Sequence, residues 1–384
     1  MNRITSKITA ILTLVFISVF SVFTFFGKKK EFSVDENRPL AASPTVKAAE
    51  LYDGRTAERL DSYVTDHFAG RSRWLVGSTL MQKELSESIV NGVYVSRERL
   101  INAESDLKSE PASSADIFDS FAENYSGMVY FAAIPTSAGV YGDVLPSHIT
   151  GRSESQQISD LYEALDGDIR KIDAYNILKM LKDNYIYYRS DTKWTSYEAY
   201  CVYKTVIQKL GIIPTTYDKF SIEHVTDSFR GNLYNRTMSK APRADIMDIF
   251  EYREGAEVTS CIVVRRDGIN AEGKIFDKSR LETGDMYSMY LGEPVPVMRI
   301  TTSANTDKKL LVVKDSFADC FIPFLLQHYS EVTVIYPEHT SGKLSDYTDI
   351  AGYEQTLFLF GIDSLCGKNV LEDLLEDYTI KEEN

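Results

Sequence analysis

A run of four apolar residues, Leu310-Leu311-Val312-Val313, stops at Lys314-Asp315-Ser316, and no other stretch constrains the fold of this chain as strongly. An unbroken apolar run of strand length, half of it β-branched, predicts a strand covered on both faces, the habit of parallel sheets. The mostly apolar segment from Phe317 to Tyr329 is expected to be helical, with a kink or late start at Pro323. Val332 to Tyr336 has the composition of the next strand, so the whole reads as a β-α-β unit. A serine at such a corner sits on the carboxyl edge of the sheet, where open α/β folds keep their sites. Amides of the following turn, that of Phe317 among them, would point at a developing oxyanion there. Ser316 is thus a candidate nucleophile. Asp315 and Ser316 are also good helix N-caps, and the local sequence leaves both roles open.

The amino terminus is apolar. Ile8 to Phe26 is 19 residues without a charge, long enough to span a bilayer. The Phe25-Phe26-Gly27-Lys28 that follows is no small-x-small cleavage site, so an uncleaved anchor is expected. Arg3 and Lys7 precede the span and Lys28 to Lys30 follow it, which leaves the positive-inside rule nearly balanced. Residues 31–384 keep 37 of the 42 basic side chains against all 56 acidic ones, about −19, which argues against nucleic acid as a partner. The four cysteines, Cys201, Cys261, Cys320 and Cys366, and the five histidines are scattered without metal spacing, so no metal or other cofactor is expected.

Between these ends the pattern predicts a tether over 28–47 and one folded domain over 48–384, with helices from Ala48 and from Ser72 and a hairpin at Val93–Val95 and Arg99–Ile101. Gly127 to Ile134 and Thr356 to Phe360 read as core strands. Ser155 to Leu165, Tyr175 to Leu181 and Asn369 to Asp377 read as helices. Much of 215–305 is polar and insertion-like, apart from a strand at Cys261–Val264. Tyr185 to Tyr188 is expected to be a short strand leading into Arg189-Ser190-Asp191-Thr192-Lys193-Trp194. Thr195 and Glu198 then form a capping box for a helix closed by Gly211. Asp191 and Lys193 could orient and supply a base for Ser316, and Trp194 beside them is either a packing wall or a sugar platform.

The segment Tyr187-Tyr188-Arg189-Ser190-Asp191-Thr192-Lys193-Trp194-Thr195 resembles the signature of the DHHW family, in which two histidines stand between the aspartate and the tryptophan. Asp66-His67-Phe68, Ile134-Pro135-Thr136, Phe229 to Tyr234 and Lys314-Asp315-Ser316-Phe317 follow the family's order of blocks. The family is similar to the SGNH-hydrolase-like domains of alginate O-acetylation proteins. The resemblance implies an α/β fold with a parallel sheet flanked by helices, preceded here by the transmembrane helix, and a body outside the cytoplasm on a single-pass anchor. It implies acetyl-ester transfer or hydrolysis on a cell-surface polysaccharide. Ser316 matches the nucleophile, Asp191 the residue that orients the base, and Gly231 a loop glycine near the oxyanion site, with Arg189 and Trp194 on the substrate side. Lys193 stands where the catalytic histidine belongs. A lysine with a pKa near about 10.4 is protonated at neutrality, whereas a histidine near about 6.5 can accept the serine proton. A degenerate enzyme and a non-catalytic carbohydrate-binding or assembly subunit of the envelope are therefore both open.

Overall fold

The computed structural model describes residues 3–45, 54–85, 88–103, 111–146, 153–252, 254–366 and 368–378. The chain divides into two compact units, Met1–Asn91 with Tyr234–Lys240, and Gly92–Leu233 with Ala241–Asn384.

The first unit is helical. Helix α1 (Arg3–Phe26) contains the stretch Ile4–Phe26, with mean hydropathy 2.4, the one described helix long and apolar enough to cross a membrane. Helices α2 (Arg55–Asp66) and α3 (Arg71–Leu85) follow; the expected start near Ala48 lies outside the described residues. The segment expected to be a tether instead carries a two-stranded pairing, Phe32–Ser33 with Arg38–Pro39. It is bonded to the Asp66-His67-Phe68 block: Arg38 donates to both Asp66 oxygens at 2.5 and 3.0 Å, and Arg71 donates to Glu36 at 2.9 and 3.0 Å. These pairings explain why a charged, Pro-containing stretch is ordered without a hydrophobic core of its own.

The second unit holds an eight-stranded sheet. Its strands, in chain order, are β1 (Met128–Ile134), β2 (Ile169–Lys171), β5 (Val258–Val264), β6 (Asn270–Glu272), β7 (Val297–Thr302), β8 (Lys309–Lys314), β9 (Glu331–Ile335) and β10 (Gln355–Gly361). Strands β3 (Phe220–Phe229) and β4 (Asp245–Tyr252) pair with each other outside it. The order across the sheet is β6-β5-β7-β9-β8-β10-β1-β2. The five strands from β9 to β2 run parallel, and β7, β5 and β6 extend that side antiparallel.

Period-two alternation sorts the strand residues into two cores. Tyr130, Ala132 and Ile134, with Leu310, Val312, Leu357 and Leu359, face a layer built by helix α4 (Ser196–Lys209) and Phe321–Leu325. Val129, Phe131 and Ala133, with Leu311, Val313, Phe358 and Phe360, face Phe118, Phe121, Leu161 and Leu371 on the other side. The result is a helix-sheet-helix sandwich, the α/β architecture expected, with its parallel centre at β8.

Three local expectations need correction. No continuous helix follows Ser316: a 3-10 turn at Ser316–Ala318 and a four-residue helix at Ile322–Leu325 take its place, with Pro323 in the first turn, where its missing N–H costs least. Tyr185–Tyr188 is not a strand; Tyr187 pairs with Trp194 in an isolated bridge, so the intervening residues form a pinched loop. The stretch 215–305 is no loose insertion, since it supplies β3 to β7. Its polarity comes from strands with a solvent-exposed face, an alternation that reads as loop when the apolar residues are few.

The capping box is half formed. Thr195 accepts from the Glu198 amide at 3.4 Å, but the Thr195 amide donates to the Ile186 carbonyl, and both Glu198 carboxylate oxygens are buried without a hydrogen-bond partner. Burial therefore pushes the Glu198 carboxyl up to about 8, against a weak opposing pull from Lys204. Because the folded-state value lies above the unfolded one, this group favours folding below about pH 4.5, and that advantage is lost as pH rises through about 8. Glu198→Gln is expected to flatten the fall in thermal stability between pH 5 and pH 8. Equal slopes for variant and parent in a melting series would overturn the assignment.

Candidate active site

The parallel strands β9, β8, β10 and β1 end together, and their following residues form the site. At its centre is the Asp315-Ser316 corner. The buried Asp315 carboxylate accepts from its own corner, the Phe317 amide, at 2.8 Å. It also accepts from the neighbouring corner, the Gly361 amide at 2.7 Å and the Ser364 hydroxyl at 2.6 Å. Asp315 is thus a pin across two strand ends, and the Phe317 amide, expected to face an oxyanion, is spent on it. Burial raises the Asp315 carboxyl above the ordinary range in spite of these bonds. Ser316 is half-buried, with the Tyr336 hydroxyl at the end of β9 within hydrogen-bond reach.

The second loop meets this corner directly. The Trp194 indole N–H donates to the Phe317 carbonyl at 2.7 Å, and the ring packs against Phe317 and Phe321 at centroid distances of 6.0 and 6.4 Å. Trp194 is fully buried, so it faces protein and offers no platform to a sugar. Trp194→Phe keeps an aromatic ring but leaves a small cavity and the Phe317 carbonyl unpaired. Such a group costs about 1–3 kcal/mol, which a urea titration would register; a change below about 0.5 kcal/mol would refute the bridge.

Asp191, Lys193 and Gly231 are brought together at the loop tip. Asp191 Oδ1 accepts from the Lys193 amide at 3.0 Å and lies 3.6 Å from Lys193 Nζ, while Oδ2 accepts from the Asn232 amide at 2.7 Å. A Cβ on Gly231 would overlap the Asp191 carboxylate, which is the physical reason for glycine there. The Gly231 amide donates to Ser190 Oγ at 3.1 Å, so in this geometry it is committed to the loop. Burial works against a charge on Lys193, but Asp191, with Asp319, Asp285 and Asp315, overcomes it, and the amine holds its proton more tightly than an ordinary lysine. Its ammonium lies 5.0 Å from the centre of the Tyr287 ring. As it stands, Lys193 is a cation and not a base.

Several neighbours were not legible in the sequence. Asp245 is fully buried and accepts from the Arg189 and Ser190 amides at 2.8 and 3.0 Å, and from the Ser190 and Tyr185 hydroxyls, both at 2.5 Å. Arg189 contributes an ion pair to it at 3.4 Å and stacks over Tyr185 at 4.2 Å, so Arg189 supports the loop from behind. Lys314 and Asp319 form a buried ion pair, with the ammonium 3.9 Å from the Tyr336 ring centre. Asp363, after β10, is pushed up to about 6 by burial and by Asp315. The one signal for Asp245 was the alternation of Met247 and Ile249 behind it, which marks a strand start in a region otherwise polar.

Four of the five histidines fall within the described residues and are bonded elsewhere: His67 to Tyr63, His224 to Asp248, His328 to Tyr203 and His339 to Arg266. Among the described residues no group of three or more His, Cys, Asp or Glu is placed to hold a metal ion.

The DHHW protein family matches residues 116–335, more than half of the chain. The chain belongs to the DHHW family. Among solved structures it is similar to a DHHW family protein from Eubacterium siraeum, at 19% identity and a TM-score of 0.63, over 77% of this chain and 98% of that one. It is also similar to Bacillus cereus PatB1, at 18% identity and a TM-score of 0.61, over 73% and 99% of the two chains. A second PatB1 structure, carrying a sulfonyl adduct, matches at 17% identity and a TM-score of 0.60, over 73% of this chain and 97% of that one. No curated protein matches. Beside Lys193, the Thr192 amide and hydroxyl bond the Asn232 side chain at 3.1 and 3.0 Å.

Proposed function

We propose that this DHHW protein handles O-acetyl esters of a cell-surface polysaccharide at Ser316, by transfer or hydrolysis, with its chemical step held slow by Lys193. The observation that carries the proposal is the Trp194 to Phe317 hydrogen bond, which ties the Asp191 loop to the serine corner. Ser316 Oγ would attack the acyl carbon and lose its proton to water. Breaking the ester C–O bond would release the sugar oxygen as a hydroxyl, protonated from water, and leave an acetyl-serine that water or an acceptor hydroxyl resolves. The Lys193 ammonium, oriented by Asp191, would draw electron density from the ester carbonyl, a role that needs a fixed positive charge and no proton acceptance. The adduct on PatB1 supports the reading by analogy, since a sulfonyl group is captured by a nucleophile. Helix α1 would hold the protein in the membrane as an uncleaved single span, with the body outside the cytoplasm.

Purified full-length protein is expected to turn over p-nitrophenyl acetate slowly and to be labelled by an aryl sulfonyl fluoride. Ser316→Ala should abolish the labelling and lower turnover at least tenfold. Labelling that persists in Ser316→Ala would remove Ser316 from the chemistry. The tight proton on Lys193 favours one competing reading, a non-catalytic polysaccharide-binding subunit. That reading expects no turnover in any variant, with binding of acetylated polysaccharide retained.

A further inference from the structure

In the first unit, a cleft of about 560 Å³ opens where α1 ends, lined by Phe23 and Phe68 and by Lys28, Lys30, Arg71 and Arg73. Its acidic wall residues are already satisfied. Glu36 and Asp66 are neutralised by Arg38 and Arg71, and Asp35 accepts from the Ser72 hydroxyl at 2.9 Å. Lys28, Lys30 and Arg73 are exposed, and among the described residues none has an ion-pair partner. The cleft therefore holds three uncompensated cations against one uncompensated carboxylate. A second, apolar cleft of about 150 Å³ shares Phe68 with it and runs along α1 past Phe16, Phe20 and Phe25.

From this pair of clefts we infer that the first unit seats one anionic membrane phospholipid, its phosphate among Lys28, Lys30 and Arg73 and an acyl chain along the apolar slot. The inference rests on reading α1 as a retained span. Lys28 is two residues past Phe26, so at no more than about 3.6 Å per residue its backbone stays within the headgroup layer, which is about 5–8 Å thick on each side of the hydrocarbon. Free phosphate or a polyanionic glycan would satisfy the cations but leave the apolar slot unfilled. A diacyl phosphate matches both clefts at once.

The test is native mass spectrometry of the full chain extracted from vesicles of phosphatidylcholine containing one quarter phosphatidylglycerol. The parent is expected to retain one phosphatidylglycerol, in preference to the more abundant zwitterionic lipid. The triple variant Lys28→Ala/Lys30→Ala/Arg73→Ala should lose at least tenfold of that retention, while the surface control Lys209→Ala/Lys219→Ala/Lys308→Ala keeps it. Equal retention in both triples, or no preference over phosphatidylcholine, overturns the lipid seat and leaves the span intact. Displacement of the lipid by inorganic phosphate or by a soluble polyanionic glycan at equal phosphate concentration would also overturn it. The intact mass of the extracted chain separates the two ideas: a chain cleaved near residue 27 lacks the apolar slot and sinks both.

Discussion

Lys193→His is expected to raise acetyl-ester turnover by roughly 10²- to 10⁴-fold, the usual contribution of a positioned general base. The parent side chain is charged, paired with Asp191 at 3.6 Å, and holds its proton more tightly than free lysine. An imidazole at this position would meet the same carboxylate. Its unperturbed pKa of about 6.5 leaves it able to accept the Ser316 proton at neutral pH, and Asp191 would hold the tautomer that does so. The gain should therefore appear as pH rises through about 6.5 or slightly above and vanish below it, because the active form is the neutral ring. Two controls isolate the cause. Lys193→Met removes the charge without supplying a base and should show no gain, and Asp191→Asn in the histidine background should cancel most of it. A histidine variant no faster than the parent across pH 6–9 would mean that position 193 does not serve Ser316.

Asp245→Ala is expected to destabilise the second unit by about 3–5 kcal/mol, the cost of stripping one partner from a buried charged network. Two amides, two hydroxyls and the Arg189 guanidinium converge on this carboxylate, and the Ser190 amide and hydroxyl among them are fully buried, out of reach of water that could replace it. The loss should also reach the chemistry. Ser190 connects Asp245 to the Gly231 amide, and Gly231 leaves room for Asp191 only while that loop keeps its course. Chemical denaturation should register the lost stability, and labelling of Ser316 by a sulfonyl fluoride should slow in the same variant below its melting temperature. Asp245→Asn retains one acceptor but turns an amide N–H₂ toward donors, so its cost should be large as well. A loss below about 1 kcal/mol for Asp245→Ala would show that the loop is held by other contacts.

The strands of the parallel centre were legible because fully buried strands need unbroken apolar runs, and GMVYFAAI, LLVV and TLFLF have no other comfortable home in water. Strand β5 was legible only in part, at Cys261–Val264, and β6, β7 and the β3–β4 pair were not, because a strand with one wet face carries few apolar residues and resembles loop. The helix expected after Ser316 starts late, at Ile322 with Pro323 in its first turn, and the capping box is only half formed because the Thr195 amide pairs with the Ile186 carbonyl.

What residue order alone determined was the list of chemical parts: an apolar span, a strand that stops at a serine, an aspartate two residues before a lysine, and a family signature missing its histidines. These are local properties, set by side-chain chemistry and spacing along the chain. Only the folded chain decided what each part touches. It placed the Trp194 indole on the Phe317 carbonyl, spent Asp315 and the Phe317 amide on each other, and closed Asp245 behind the Asp191 loop. The Trp194 and Asp245 pairings join residues 123 and 55 positions apart, and a hydrogen bond carries no trace in the sequence of which distant partner will complete it.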